Sequence, residues 1–374
     1  MYGQQASDFF QLFMLYGEGA ATAVIACLYL LLRRGNAFAQ DVITSPRLSR
    51  WTAAFFATLA MCHVWYMPVI YLTSEDDILL ATLVGVLLDF LTFFPLAIII
   101  LFSMLQDRER PLWPAYVMVA PLVVGSVYCI ITRSTAIFPI MQVYLLLLGI
   151  GLIIYMVREV REYGRWLRDN YADLEHKEVR QSFMALTIIL LMFFIYASDF
   201  WGEAYEYIVQ VSSMILIGYL LWRVETLSDL TIPKYKPAPI DEGNIPTEDL
   251  ENEGLSQAMH DNIRPLLERH CIDAQLYLQH DLTLSQLAQA IGTNRFYLSR
   301  FFSRQGITYN AYINDLRIKY FITQYHEAVK SRQSFTAQQL ASDSGYRSYS
   351  TFSLAFKQRM GQSVTVWMRD MANA

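Results

Sequence analysis

Hydrophobic residues fill the first 224 positions in long uninterrupted runs, without the alternation of a half-buried strand or the stripe of an amphipathic helix. A helix needs about 20 such residues to cross a hydrocarbon core about 30 Å thick. The pattern predicts an all-α fold that begins with a seven-helix transmembrane bundle. The expected spans are residues 9–32, 51–72, 78–105, 112–131, 136–157, 183–201 and 205–224.

The hydrophobic pattern becomes that of an ordinary soluble chain after the last of these runs. Residues 225–255 contain four prolines and two lysines against eight acids, a net charge of −6, with almost no apolar periodicity. Residues 282–374 hold eleven lysines and arginines against four acids, a net charge of +7. We therefore expect three parts: the bundle at 1–224, an extended acidic linker at 225–255 and a basic all-α domain at 256–374.

Lysines and arginines are divided unequally between the two sides of the predicted bundle. Thirteen follow or end the odd-numbered spans, whereas the opposite loops contain only Arg133. Because short positively charged loops stay in the cytoplasm, we expect a multi-pass inner-membrane protein with its N-terminus outside and its C-terminal domain cytoplasmic. The thirteen are Arg33, Arg34, Arg47, Arg50, Arg108, Arg110, Arg158, Arg161, Arg165, Arg168, Lys177, Arg180 and Arg223.

The stretch 158–180 is too polar to span a membrane, but its apolar residues recur every three to four positions. We expect it to be a cytoplasmic helical segment that extends the fifth span. Two interpretations remain open: a solvated helix on the lipid headgroups, or a short coiled-coil or signalling helix between the two copies of a homodimer. The apolar positions are Val160, Tyr163, Leu167, Tyr171 and Leu174.

Three ionisable residues lie inside predicted spans, where the apolar surroundings make a charge costly. Glu18, His63 and Asp89 each lie roughly 13 to 17 Å from the outer end of their span, at 1.5 Å per residue, so three helices could present them in one layer. One interpretation is hydrogen bonding that only fixes helix packing. A second is a site that senses a small molecule or protons, and a third is a metal site, which nothing else in the sequence supports.

A weak internal repeat carries the most specific pattern in the chain. Its copies are LTLSQLAQAIGTNRFYLSRF, residues 282–301, and FTAQQLASDSGYRSYSTFSLAF, residues 335–356. Each begins with a threonine followed three positions later by a glutamine, Thr283 with Gln286 and Thr336 with Gln339. This spacing lets the two side chains satisfy the free amides at a helix start, so each copy should begin a helix at its threonine.

In each copy a glycine, Gly292 or Gly345, follows the first short helix, and a capping residue, Asn294 or Ser348, begins a second one. The second helix has one apolar face and one face of polar, aromatic and basic groups. This arrangement predicts two helix-turn-helix units whose second helices enter the major groove of double-stranded DNA. The residues expected inside are Leu298, Phe301, Phe302, Phe352, Ala355 and Phe356.

Residues 282–369 resemble the C-terminal DNA-binding domain of AraC-type transcription regulators. The resemblance implies seven helices, with a long central helix at about 309–330 that holds two recognition helices in successive major grooves. The matching positions are Leu287-Ala288, Gly292, Leu298-Ser299-Arg300, Phe302, Gly306, Leu316-Arg317-Ile318, Leu340-Ala341, Gly345-Tyr346, Phe352-Ser353, Phe356-Lys357 and Gly361.

The family positions also imply which side chains contact DNA. Phe296 and Tyr349 have core packing as an alternative. This chain has Leu354 where the family usually has arginine and Val364 where it usually has proline, so the first unit is expected to carry more of the base readout. The candidate DNA-binding residues are Arg295, Phe296, Ser299, Arg300, Arg304, Arg347, Tyr349, Ser350, Ser353 and Lys357.

Taken together, these patterns predict a membrane-tethered, sequence-specific DNA-binding transcription regulator that acts as a one-component sensor. The four cysteines lack metal or disulfide spacing, and no nucleophile with its base, phosphate loop or metal signature is evident. We therefore expect no enzyme activity, cofactor or metal ion. The alternatives are a membrane transporter or enzyme with a regulatory DNA-binding appendage, and a constitutive membrane anchor for the regulator.

The division of lysines and arginines generates a topology prediction. Reporter domains fused after Asp77 or Gly202 should be active only outside the cytoplasm, and those fused after Arg34, Lys177 or Ala374 only inside it, because positively charged loops are retained. The measurement is the paired activity of an outside-specific and an inside-specific reporter at each site. An external C-terminus would contradict the orientation and the DNA-binding role together.

Overall fold

The computed structural model describes residues 6–33, 35–39, 42–179, 204–230, 263–332 and 334–372. These residues are mainly helical, and their strand-like pairing consists of two isolated bridges, Thr44 with Ser228 and Tyr171 with Thr283. The predicted all-α fold class is confirmed over the described part of the chain.

The chain divides into two compact units. The first comprises Met1–Tyr163 and His176–Pro233, and the second comprises Gly164–Glu175 and Lys234–Ala374. The second unit therefore takes in a short stretch that lies more than 50 residues before its main part in the sequence, at the end of the fifth predicted span.

The helices of the first unit are mostly long and apolar. Their order follows the runs of the sequence, with one short helix after the second run. They are α1 (Ala6–Leu32), α2 (Pro46–Trp65), α3 (Pro68–Tyr71), α4 (Glu75–Leu91), α5 (Phe93–Met104), α6 (Trp113–Thr132), α7 (Phe138–Asn170), whose end belongs to the second unit, and α8 (Ala204–Thr226).

Five described stretches are long and apolar enough to cross a membrane. The predicted second span corresponds to α2 and α3, which are not among them, because α2 begins with a polar turn and ends at Trp65. The predicted sixth span, 183–201, lies outside the described residues, so the count of seven stays a prediction. The five stretches are Phe13–Leu32, Glu75–Met104, Trp113–Thr132, Phe138–Asn170 and Tyr207–Thr226.

Helix α5 forms the interior of the first unit. It is apolar on every side, and its residues from Ala97 to Phe102 are all buried, as expected for a helix surrounded by others. It packs against α2, α4 and α6. The preceding helix, α4, ends at Leu91. In a continued helix the amide of residue 95 would donate to the Leu91 carbonyl oxygen, but Pro95 has no amide hydrogen and cannot form this bond.

Helix α7 is held by an ionic cluster near its middle. The buried carboxylate of Glu159 accepts hydrogen bonds of 2.7 Å from Arg108 and from Arg110, which both lie in the loop between α5 and α6. Arg110 also pairs with Asp107 at 2.9 Å. Charge-assisted bonds in a shielded position are stronger than exposed ones, so this cluster ties α7 to that loop.

The predicted helical segment 158–180 is helical only as far as Asn170. Residues 171–179 contain no helix, and residue 180 lies outside the described part. The helix stops because Tyr171 pairs with Thr283 in one of the isolated bridges, which takes its backbone out of the helical conformation. The helix of the segment therefore ends where Tyr171 pairs with Thr283, and both interpretations of its role stay predictions.

The described part of the second unit begins with helical residues from 263, which continue into a π-helical stretch at Glu268–Asp273 and a 3₁₀ turn at Leu276–Leu278. Six α-helices follow within the described residues. They are α9 (Leu284–Ala290), α10 (Arg295–Arg304), α11 (Tyr309–Lys330), α12 (Ala337–Asp343), α13 (Tyr349–Met360) and α14 (Val364–Ala372).

Each predicted helix start in the repeat is confirmed. Thr283 and Gln286 form a complete capping box at α9, as Thr336 and Gln339 do at α12. The side chains of Asn294 and Ser348 accept backbone hydrogen bonds at the starts of α10 and α13. Two helix-turn-helix units therefore begin at the predicted residues.

The glycines of the two turns both adopt positive φ angles, 72° for Gly292 and 88° for Gly345. Gly345 is required twice over, because a Cβ at this position would lie 2.7 Å from the carbonyl oxygen of Leu278 and 3.0 Å from the guanidinium of Arg317. Gly292 has open space around it, so only its backbone conformation restricts the residue type there.

A buried arginine joins the two hydrophobic cores of the second unit. Arg317, 1% exposed, donates hydrogen bonds of 2.7 Å to the carbonyl oxygens of Tyr277 and Gln279, and its guanidinium lies 5.4 Å from the ring centroid of Tyr346. Burial lowers the pKa of Arg317, and the charges of Tyr346 and Asp173 act in the opposite direction. The side chain stays charged, since arginine starts from a very high pKa.

Removal of this arginine should destabilise the second unit. The Arg317→Met variant leaves the carbonyl oxygens of Tyr277 and Gln279 without their hydrogen-bond donor, which should cost about 3 kcal/mol. Hydrogen–deuterium exchange of the α11 and α13 amides in the full chain measures the loss as faster exchange. The control is Lys319→Met on the same helix, whose exposed ion pair with Asp315 should be worth less than about 1 kcal/mol. Equal effects of the two variants would contradict the role of Arg317.

Candidate nucleic-acid interface

Helix α10 presents the face that the sequence assigns to DNA. Its inner residues Leu298, Phe301 and Phe302 are buried in the first core of the second unit. On the other side, Arg300 is exposed and Phe296 exposes 56% of its surface, so the phenyl ring does not pack in the core. An exposed phenylalanine on a short polar helix is available for apolar contact with a thymine methyl group.

Helix α13 presents a less polar face. Ser350 is exposed, Ser353 is half-buried, and Leu354 exposes 60% of its surface where the resembling family usually has arginine. Tyr349 is half-buried, with its ring 5.8 Å from that of Phe352, so it contributes partly to the second core, as the alternative interpretation allowed. The outer face of α13 therefore offers hydroxyl and aliphatic groups more than charge.

Basic side chains surround both helices. One of them, Arg347, is paired with Asp281 at 3.2 Å, so binding to a phosphate would require it to change partners. Arg359, outside the candidate set, is similarly paired with Asp315 at 2.5 Å. Exposed arginines and lysines next to helix starts are typical phosphate contacts in DNA-binding domains. The exposed candidates are Arg295, Arg300, Arg304, Arg347 and Lys357.

Of the three ionisable residues inside predicted spans, Asp89 is the most enclosed. It is buried on α4, where it accepts a 2.7 Å hydrogen bond from the Tyr66 hydroxyl and lies 3.3 Å from the Cys62 sulfur. Both partners come from α2 or the residue that follows it. Asp89 thus joins α4 to the end of α2.

His63 is half-buried and contacts two other helices. Its Nε2 lies 2.9 Å from Gln210 Oε1 on α8, and its ring packs edge-on against Tyr16 of α1. Its Nδ1 lies 2.8 Å from the Leu59 carbonyl oxygen. Glu18 is exposed, so the three predicted residues do not share a single hydrogen-bonded group. A search of the described residues finds no group of three or more histidine, cysteine or acidic side chains able to hold a metal ion.

The comparison with protein families agrees with this geometry. A family model described as a helix-turn-helix domain matches residues 287–370. The matched residues are similar to a helix-turn-helix domain of the AraC type. We call the described part of the chain that contains them, residues 263–372, the AraC-type domain. The match includes α10, α11 and α13 and covers less than a quarter of the chain. No match was found among curated proteins or among solved structures.

Sequence reasoning missed the importance of Arg317 and of residues 171–175. The signal for Arg317 was present, because it stands four residues from both Ile313 and Phe321, two buried positions of the same helix face. An arginine in such a stripe must find buried acceptors. Residues 171–175 gave no comparable signal, since most of their bonds to the AraC-type domain are made by backbone atoms.

The two faces generate a prediction about specificity. Arg300→Ala should weaken binding to the preferred sequence by roughly 1 to 3 kcal/mol and relax selectivity at one base pair, if Arg300 contacts a base edge. Lys357→Ala should weaken binding to all sequences about equally and make the salt dependence shallower, because it removes a phosphate contact. Titration of the full chain against specific and unrelated duplexes at several salt concentrations distinguishes the two. If Arg300→Ala lowers the affinity for both duplexes equally, Arg300 does not contact a base.

Proposed function

We propose that this protein is a membrane-tethered, sequence-specific transcription regulator that senses a cue through its membrane part. Its partners would be double-stranded DNA and the lipid bilayer, with N-terminus outside and the AraC-type domain in the cytoplasm. The observation that carries the proposal is one chain with two capped helix-turn-helix units, matched over 287–370, and five helices apolar enough to span a membrane.

DNA binding is supported by the surface of the AraC-type domain. Its two second helices expose Phe296 and Arg300 on α10 and Ser350 and Leu354 on α13, and further basic side chains lie around them. The stretch 282–374 has a net charge of +7, which favours association with the phosphate backbone at low salt. Apart from Phe296 and Leu354, this face has too little exposed apolar area to suggest that it binds another protein instead of DNA.

Membrane tethering is supported by the exposed surface of the first unit. Many large aliphatic residues on α6 and α7 are exposed, for example Val124, Ile131, Ile140 and Ile154, each by more than 60%. A water-soluble unit would bury such residues, whereas lipid tails cover them without cost. The thirteen-to-one division of lysines and arginines supports the proposed orientation.

Sensing is supported by the polar contacts around the end of α2. Two adjacent residues, Cys62 and His63, reach toward Asp89 of α4 and Gln210 of α8. Both ring nitrogens of His63 lie within hydrogen-bond distance of oxygen atoms, those of the Leu59 carbonyl and of Gln210. A proton or a small polar molecule that replaces these hydrogen bonds would change the packing of α2 against α4 and α8. Glu18 is included in this proposal only because its predicted depth in the membrane is similar to those of His63 and Asp89.

Occupancy of DNA by the intact protein tests the regulator proposal. Chromatin capture should recover a small set of sites that share a sequence, together with membrane lipid, and the inducing condition should change their occupancy. The matched control is an Arg300→Ala and Lys357→Ala double variant, which keeps the membrane part and should lose the sites. Sites that the control retains would contradict DNA binding by this face, and occupancy that no condition changes would support the constitutive anchor.

The sensing proposal predicts the behaviour of three variants. His63→Gln, Asp89→Asn and Glu18→Gln keep the size of each side chain and remove its charge, so protein level and DNA affinity should stay within about twofold of the wild type. Reporter output should no longer respond to the cue, because the exchangeable protons or polar bonds are gone. Normal induction in all three variants would leave helix packing as the role of these residues.

A further inference from the structure

Residues 171–175, which we term the strap, directly follow α7 and bind to the AraC-type domain. The Ala172 amide donates a hydrogen bond to the Leu282 carbonyl oxygen at 3.1 Å, next to the bridge between Tyr171 and Thr283. The Asn310 side-chain amide donates to the carbonyl oxygens of Ala172, at 2.7 Å, and of Tyr171, at 3.3 Å. The strap is therefore anchored to α9 and α11.

The middle of the strap is part of the domain's interior. Ala172 is 2% exposed and belongs to the first hydrophobic core, with Leu282 and Tyr309. Asp173 is buried, close enough to Arg317 for its charge to influence the guanidinium, and its carboxylate accepts a hydrogen bond from the Glu175 amide at 3.1 Å. These contacts turn the strap so that Glu175 faces the second helix-turn-helix unit.

One end of the strap reaches the N-terminal end of the second recognition helix. Glu175 Oε2 accepts a 3.0 Å hydrogen bond from the Thr351 hydroxyl, in the first turn of α13. At the other end, Tyr171 pairs with Thr283, the residue that caps α9 in the first helix-turn-helix unit. A carboxylate thus lies beside the start of α13, which a bound duplex would approach.

In helix-turn-helix domains, the N-terminal residues of the recognition helix are the ones that face the base edges. The start of a helix also attracts anions, so a carboxylate held there competes with a DNA phosphate for the same positive end. We propose that the strap is an internal competitor of DNA: it holds a carboxylate at the start of the second recognition helix, α13, and DNA binds fully only after the strap is displaced. This inference rests on the proposed DNA-binding function.

The position of the strap in the chain suggests what displaces it. Helix α7 runs without a break from Phe138 to Asn170, about 50 Å at 1.5 Å per residue, and the strap begins at the next residue. A rotation or axial shift of α7 is passed to the strap through the covalent chain. The fifth predicted span would therefore control access of DNA to the second recognition helix.

A reversible disulfide tests this competition in the full chain, reconstituted in a lipid nanodisc. Residues paired across an antiparallel bridge have Cα atoms close enough for a disulfide, so Tyr171→Cys combined with Thr283→Cys should form one on oxidation. Oxidation should lower affinity for the preferred duplex about tenfold or more, and reduction should restore it. Each single-cysteine variant, oxidised in the same way, is the control for the substitutions and for the native cysteines.

A charge variant tests the Glu175 end separately. Glu175→Gln should bind the preferred duplex roughly three- to tenfold more tightly, because a charged competitor becomes a neutral one. The matched control is Glu162→Gln, which removes an acid from α7 that pairs with Arg158 and belongs to the first unit. Its affinity should stay within about twofold of the wild type.

Hydrogen exchange of the unmodified protein completes the test without any substitution. Addition of the preferred duplex should speed exchange of the Ala172 amide, which the Leu282 carbonyl protects in the free protein. Unchanged protection on DNA binding, or an oxidised double variant that binds as tightly as the reduced one, would show that the strap is a permanent part of the domain and overturn the inference. If the wild type itself prefers no sequence, the proposed function fails, and this inference fails with it.

Discussion

The buried guanidinium of Arg317 is the interaction on which the arrangement of the AraC-type domain depends. It bonds the carbonyls of Tyr277 and Gln279, lies over the ring of Tyr346 in the second helix-turn-helix unit, and is influenced by the charge of Asp173 in the strap. A charge in the interior is tolerated only when its donors are satisfied in a fixed geometry. Arg317 therefore ties the chain just before the first helix-turn-helix unit to the turn of the second.

The two ends of the stretch 159–175 are held by different groups, the ionic cluster at Glu159 and the partners of the strap. Glu159 is held by Arg108 and Arg110, within the first unit, whereas residues 171–175 are held by Leu282, Asn310 and Thr351, within the second. Between them the helix is continuous as far as Asn170. In the proposed regulator, this helix is the part of the chain through which a change near Glu159 would reach the strap.

Local patterns in the sequence predicted the features that depend on neighbouring residues. The capping boxes, the glycine turns and the apolar faces of α10 and α13 follow from spacings of three and four, and the structure confirms them. The strap could not be predicted, because most of its bonds to the AraC-type domain use its own backbone atoms and all of these bonds reach partners more than 100 residues away. The partner of His63 was missed for a related reason: Gln210 is uncharged, and only the fold brings it to α2.

The most direct test of the account is a footprint of the full protein, in lipid nanodiscs, on its preferred DNA. Two recognition helices in successive major grooves predict two protected patches whose centres lie about 10 base pairs apart on one face of the duplex. Guanine N7 protection in those patches should disappear with Arg300→Ala in one of them only. A footprint with a single patch, or none at any salt concentration, would contradict the claim that this chain reads DNA through both helix-turn-helix units.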